Sequence, residues 1–190
     1  MRITGGMARG IPLIVPKGDL VRPATDAMRQ AVFSSLGARV EGASFLDLFA
    51  GSGAYGLEAF SRGAAGGAFV ERASKAIASI RQNIAAVSKS VGRPPENLRV
   101  YCADATSFLP TEFVPDLVFI DPPYDIIGDV APAIFRHLAE YIASRKEALV
   151  ILETPGEMKL TPDGWTCLKR LGKGVRQPMV SIFKPTPALP

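Results

Sequence analysis

The chain has 190 residues, 47% of them hydrophobic and 21% charged, with a formal net charge of +4. That length predicts one domain, and that composition excludes wholesale disorder, while the lack of any run of about 18 apolar residues excludes a membrane-spanning helix. The charge is uneven: residues 1–29 carry a net +3, residues 159–190 a net +5, and the stretch between them a net −4. Two cationic ends folded onto one side would make a basic face suited to nucleic acid.

Residues 1–24 are rich in Gly and Pro and read as a basic N-terminal arm, ahead of a folded domain over 25–190. Their start, MRITGGMARG, has no apolar segment of the kind a secretory signal needs. Residues 2–4 and 11–15 are spaced to pair as a small hairpin around Gly5 and Gly6. Thr25 caps a helix over 26–37, with Asp26 in its first turn and Met28, Val32 and Leu36 on one face. A strand over 45–49 then leads through AGSGAYG into a helix over 54–62. A second strand, 68–70, ends at Glu71, and Ser74 caps a helix with Ile77, Ile80, Ile84 and Val87 at helical spacing. A third strand over 98–101 is followed by Asp104, and a fourth over 117–120 by Asp121-Pro122-Pro123-Tyr124. Asp129 caps a helix to about 143, a fifth strand covers 148–152, and strands over 165–168 and 179–183 form an antiparallel hairpin.

Strands alternating with helices predict an α/β fold with a mostly parallel seven-stranded sheet and helices on both faces. Right-handed crossovers put every parallel strand's C-terminal end on one edge, where open sheets bind ligands. Gly51, Glu71, Asp104 and Asp121 all fall just after predicted strands. Core packing alone does not require that coincidence.

Gly51-Ser52-Gly53-Ala54-Tyr55-Gly56 matches GxGxxG between a strand and a helix, where glycines permit a tight turn and close approach of a ligand to backbone amides. A carboxylate at Glu71 can take both hydroxyls of a ribose. These features fit a nicotinamide dinucleotide equally well. Asp104 can accept from an adenine amino group, cap the turn that follows it, or do both. Asp121-Pro122-Pro123-Tyr124 favours different chemistry. Two prolines after a buried strand remove two N–H donors and leave carbonyls and a carboxylate as acceptors. Such a surface grasps an exocyclic amine and helps localise its lone pair, while Tyr124 offers a face for stacking a base. No His, Cys or carboxylate spacing predicts a metal site. His137 reads as a surface residue, Cys102 as a small core side chain, and Glu153 as a solvated or capping carboxylate. Free thiols at Cys102 and Cys167 fit a cytoplasmic location.

FLDLFAGSGAYGLEA resembles the cofactor loop of class I S-adenosylmethionine-dependent methyltransferases, and DPPY resembles the motif of amino-methyltransferases. RITGGMARGIPLIVPKG, then RPATDAMRQAVFSSL, extend the likeness to the RsmD family over about residues 1–155. That family methylates N2 of guanine-966 in bacterial 16S ribosomal RNA. The resemblance implies a Rossmann-like class I fold and S-adenosylmethionine as cofactor. It implies cofactor contact by Asp47, Ala50, Gly51, Ser52, Gly53, Glu71 and Asp104, and catalysis by Asp121, Pro122, Pro123 and Tyr124. It also implies 16S rRNA as partner, alone or within a small-subunit assembly intermediate, met by Arg2, Arg9, Arg22, Thr25 and Arg29. Ala24 and Ala27 depart from the family's usual Thr and Arg. The charge partition predicts that the arm clamps RNA phosphates and that its removal spares the fold. Another RNA or DNA amino-methyltransferase, a nicotinamide oxidoreductase and a non-catalytic RNA-binding factor are the alternatives.

Overall fold

In the computed structural model, residues 1–16, 25–172 and 177–186 are described. Thr25 Oγ1 accepts from the Met28 amide and starts helix α1, Asp26–Leu36. A 3-10 turn leads to β1, Ser44–Leu48, and the glycine loop to α2, Ala54–Ser61. Strand β2, Gly66–Glu71, is followed by α3, Ser74–Val91, and β3, Leu98–Cys102. Then come β4, Leu117–Ile120, α4, Ile127–Tyr141, and β5, Leu149–Thr154. Strands β6, Trp165–Leu171, and β7, Met179–Pro185, complete the sheet.

Among the described residues seven strands form one sheet in the order β3-β2-β1-β4-β5-β7-β6. The first five are parallel, while β7 runs antiparallel to both β5 and β6. Strand order reverses between β1 and β4, which is the switch point where open sheets place ligands. Leu48 pairs with both Val70 and Ile120, so the C-terminal ends of β1, β2 and β4 lie level.

Alternation along the strands sends side chains to two separate cores. Phe45, Phe69, Phe119 and Ile151 face α1, α2 and α3, through Val32, Phe33, Leu57, Ile80 and Ile84. Leu46, Val70, Val118 and Leu152 face α4, through Ile134, Phe135 and Leu138. The helices are unevenly shared because the β3–β4 connection has no helix. Phe108 and Phe113 from that connection pack against the α4 side instead.

Four local expectations need correction. Ser74 is the first helical residue rather than the cap: Glu71 Oε1 takes the amides of Arg72 and Ala73 ahead of α3. Asp129 lies inside the first turn of α4, where its charge suits the helix dipole. Cys102 is exposed, since β3 is an edge strand with β2 as its partner.

The arm is the fourth. The Ile3 amide donates to the Ile11 carbonyl and the Gly10 amide to the Ile3 carbonyl across a hairpin, as the spacing predicts. That hairpin is no appendage, for Ile3, Ala8 and Leu13 are buried in the core with α1–α3. Thr4 donates to Glu58 and Ala8 to Ser61, both on α2, while Ile14 and Asn83 of α3 bond in both directions. Removal of this segment would strip apolar area from the core, contrary to the expectation that the fold is spared. Lys17 and Arg22 lie outside the described residues. Among the described residues no helix is long and apolar enough to cross a membrane.

Candidate active site

The C-terminal ends of the parallel strands open onto a cleft of about 600 Å³. Phe49 and Gly51 line it from β1, Glu71 from β2, Asp104 from beyond β3, and Asp121 to Tyr124 from β4. The four strand ends singled out by sequence therefore meet in one place. Pro155, Gly156, Glu157, Gln177 and Pro178 complete the wall. Pro155, Gly156 and Glu157 follow the C-terminal end of parallel β5, the same signal that marks the other strand ends. Gln177 and Pro178 instead precede β7 and reach the cleft through its pairing with β5.

The glycine loop is shaped by backbone rather than side chains. Gly53 has φ +77°, and a Cβ on Gly56 would sit 2.5 Å from the Phe45 and Phe69 rings. The first glycine makes the turn, and the second lets α2 rest on β1 and β2. Asp47 is almost wholly buried and accepts from the Gly56 amide at 2.9 Å. Burial pushes its carboxyl up to about 8, with Glu71 adding to the rise and the Gly56 bond opposing it. Asp47, Ala50, Ser52 and Gly53, expected at the cofactor, are buried or nearly so and do not themselves line the cleft. Phe49 is the one described non-glycine residue with positive φ, at +58°. That conformation is costly for a bulky side chain and turns the chain sharply into the cleft.

Glu71 receives three amides. Gly51 donates to Oε2 at 2.9 Å, and Arg72 and Ala73 donate to Oε1. Oε1 is filled, whereas Oε2 keeps one lone pair on a residue that lines the cleft. Asp104 Oδ1 takes the amide and hydroxyl of Thr106, while Oδ2 lies 3.8 Å from Arg72. Those Thr106 bonds hold the Asp104 carboxyl below the usual carboxylate range.

On the other side of the switch point stands a group of acids. Glu153 at the end of β5 is 1% exposed, not solvated as expected. Tyr55 donates to its Oε2 at 3.2 Å and Tyr124 to its Oε1 at 3.0 Å. Burial pushes Glu153 up, and both tyrosine bonds and the Arg29 charge pull it back. Asp121 is pushed well above its ordinary value by burial first, then by the charges of Glu153 and Asp47. Among the described residues, no donor bonds its carboxylate.

Arg29, expected to reach RNA, is 0% exposed. It donates to Asp26 at 2.7 Å and to the Arg2 carbonyl, and lies 3.9 Å from the buried Glu58. Its charge lowers the proton affinity of both Asp121 and Glu153. It serves the interior of the site, not a polyanion outside. Arg2 and Arg9 are exposed on the hairpin, and Thr25 is occupied as the α1 cap. His137 is exposed on α4, as its sequence context predicts.

This strand order, with β7 reversed, a glycine turn after β1 and a carboxylate ending β2, defines a class I S-adenosylmethionine-dependent methyltransferase fold. The chain belongs to the family described as Conserved hypothetical protein 95, the RsmD family, which matches residues 1–180. It is 40% identical over 125 residues to Ribosomal RNA small subunit methyltransferase D of Escherichia coli K12, a match covering 65% of this chain and 60% of that protein's length. The protein of the same name from Haemophilus influenzae is 31% identical over 179 residues, covering 92% of this chain and 90% of the relative. The solved structure of the Escherichia coli protein yhhF superposes with a TM-score of 0.80 at 31% identity, covering 98% of each chain.

Proposed function

We propose that the chain transfers the methyl group of S-adenosylmethionine to N2 of a guanine in small-subunit ribosomal RNA, at guanine-966 of the 16S molecule. One observation carries this reading: an unfilled acceptor, Asp121, shares a single cleft with Glu71 and Asp104. The names of the Escherichia coli and Haemophilus relatives support ribosomal RNA as the substrate.

The residues present fit the cofactor. The open lone pair of Glu71 Oε2 suits a ribose hydroxyl, and Asp104 Oδ2 suits an adenine amino group. A cleft of about 600 Å³ lies within the usual range for small-molecule sites. When bound, S-adenosylmethionine supplies an activated methyl on a sulfonium. Asp121 and the Pro122 carbonyl accept the two N–H groups of the amine and orient its nitrogen. Pro123 adds no competing donor. Asp121, with its raised proton affinity, would take the proton that the amine sheds as its N–C bond forms, the methyl's C–S bond breaking to leave neutral S-adenosylhomocysteine. Tyr124, 39% exposed, stacks on the base. The base must leave its stack or be presented in a loop. Arg2 and Arg9 on the hairpin meet phosphates, in the cytoplasm where ribosomes are built.

Two measurements follow. Mapping of methylated nucleotides in 16S rRNA from a deletion strain should show loss of one N2-methylguanine, restored by the wild-type chain. An unchanged methylation map overturns the assignment, and parallel assays on free rRNA and on small-subunit intermediates identify the form used. Second, Glu71→Ala should weaken S-adenosylmethionine binding by about 1–3 kcal/mol, because it removes a ribose acceptor and frees the Gly51 amide. Calorimetry that finds unaltered affinity removes Glu71 from the cofactor site.

A further inference from the structure

We propose that Glu153 is a positioning residue for methyl transfer: its bonds to Tyr55 and Tyr124 fix the Tyr124 ring as the wall against which the target base lies. This rests on the reading of Tyr124 as the stacking face.

The placement follows from the sheet. Ile120 pairs with Leu152 across β4 and β5, so Asp121, just past β4, and Glu153, near the end of β5, lie at the same level. Tyr124 sits three residues further on, on the loop after β4, and is 39% exposed. Its hydroxyl donates to Glu153 Oε1 at 3.0 Å.

The other end of the tether is rigid. Tyr55 bonds Glu153 Oε2 and is 6% exposed. Its ring stacks on Phe119 at 5.3 Å and 16°, and Phe119 in turn meets Phe33 at 5.7 Å. Glu153 therefore links a packed aromatic column to a half-exposed ring. It does not line the cleft. Its bonds reach the base through Tyr124. Its charge also raises the proton affinity of Asp121, so the variants' rates are compared on the plateau above the acid limb, where Asp121 is ionised in every variant.

The choice of residue supports a function. Both phenols donate, so both oxygens must accept, which a carboxylate does and an amide does not. A buried acid is costly, and an apolar side chain would fill the space between β5 and α2 with less penalty. An acid retained there has a use that packing alone does not supply.

The test is a double-mutant cycle on the full chain, read by single-turnover methylation of 16S rRNA. Glu153→Gln and Tyr124→Phe should each slow the step about tenfold, with S-adenosylmethionine affinity unchanged. The double variant should be no slower than the slower single, since both changes cut one link. Losses that multiply would show that Glu153 acts independently of Tyr124 and would overturn the proposal. So would an unaltered rate in Tyr124→Phe, which breaks the link from its exposed end and keeps the protein testable if Glu153→Gln does not fold. A wild-type chain that methylates no rRNA at all would refute the proposed function instead.

Discussion

Asp121→Ala should abolish methyl transfer while leaving S-adenosylmethionine affinity nearly unchanged. Asp121 is the acceptor at the switch point that no described donor fills, and Glu71 and Asp104 lie across the cleft from it. Without the carboxylate, the amine loses the partner that orients its lone pair and receives its proton. Removal of one preorganised electrostatic partner of this kind costs about 100- to 1000-fold in rate. Asp121→Asn should also be poor, since its amide keeps one acceptor oxygen but has no charge and cannot take the amine's proton. The pH profile carries a second signature. Burial and the charges of Glu153 and Asp47 raise the proton affinity of Asp121. The ionised form is the active one, so the rate falls as pH drops through that raised value. The acid limb therefore lies above the usual carboxylate range. Strong single-turnover activity in Asp121→Ala would mean that another group holds the amine.

Arg29→Met should destabilise the fold by about 1–3 kcal/mol, the usual cost of removing a partner from buried acceptors, because Glu58 keeps Arg62 at 2.9 Å and both Thr4 bonds. For a chain of this size that lowers the melting temperature by roughly 5 °C. Arg29 is fully buried, lies 3.9 Å from the equally buried Glu58, and bonds the Arg2 carbonyl of the hairpin. It also opposes the rise in proton affinity at Asp121. Its loss should thus move the acid limb of the methylation rate to still higher pH. A residue that contacted RNA phosphates would behave otherwise. Its removal would weaken RNA binding and flatten the salt dependence while stability stayed intact. Calorimetric melting and salt titration of the same variant separate these outcomes.

The contrast at Arg29 shows where sequence stops being informative. The strands were legible because their apolar runs end in Gly51, Glu71, Asp104 and Asp121, and a parallel sheet must bring those ends together. GxGxxG and DPPY were legible because their chemistry is local. Arg29 follows Asp26 by one helical turn and reads as the surface half of an ordinary ion pair. Its burial depends on the hairpin folding over α1. Glu153 is similar: its partner Tyr55 is 98 residues away, and no spacing rule connects them. Asp47 looked like a ligand because it lies in the motif, yet it faces the Gly56 amide. Phe49 carried no signal of its positive φ beyond its place before Ala50-Gly51. The pattern records which strand end a residue occupies. Which way its side chain turns is decided by packing between distant elements.

Asn83 ties two of these elements through a single side chain. Its Oδ1 accepts from the Ile14 amide, and its Nδ2 donates to the carbonyls of Ile14 and Ser52. Ile14 belongs to the hairpin, Ser52 to the glycine loop, and Asn83 is 1% exposed between them. The segment that presents cations to the outside and the loop that bounds the cleft are thereby spliced into one mechanical part. The hairpin and the glycine loop thus share one buried amide as their common anchor. A change of backbone register at Ile14 would therefore take away two of the bonds that hold Asn83 against Ser52.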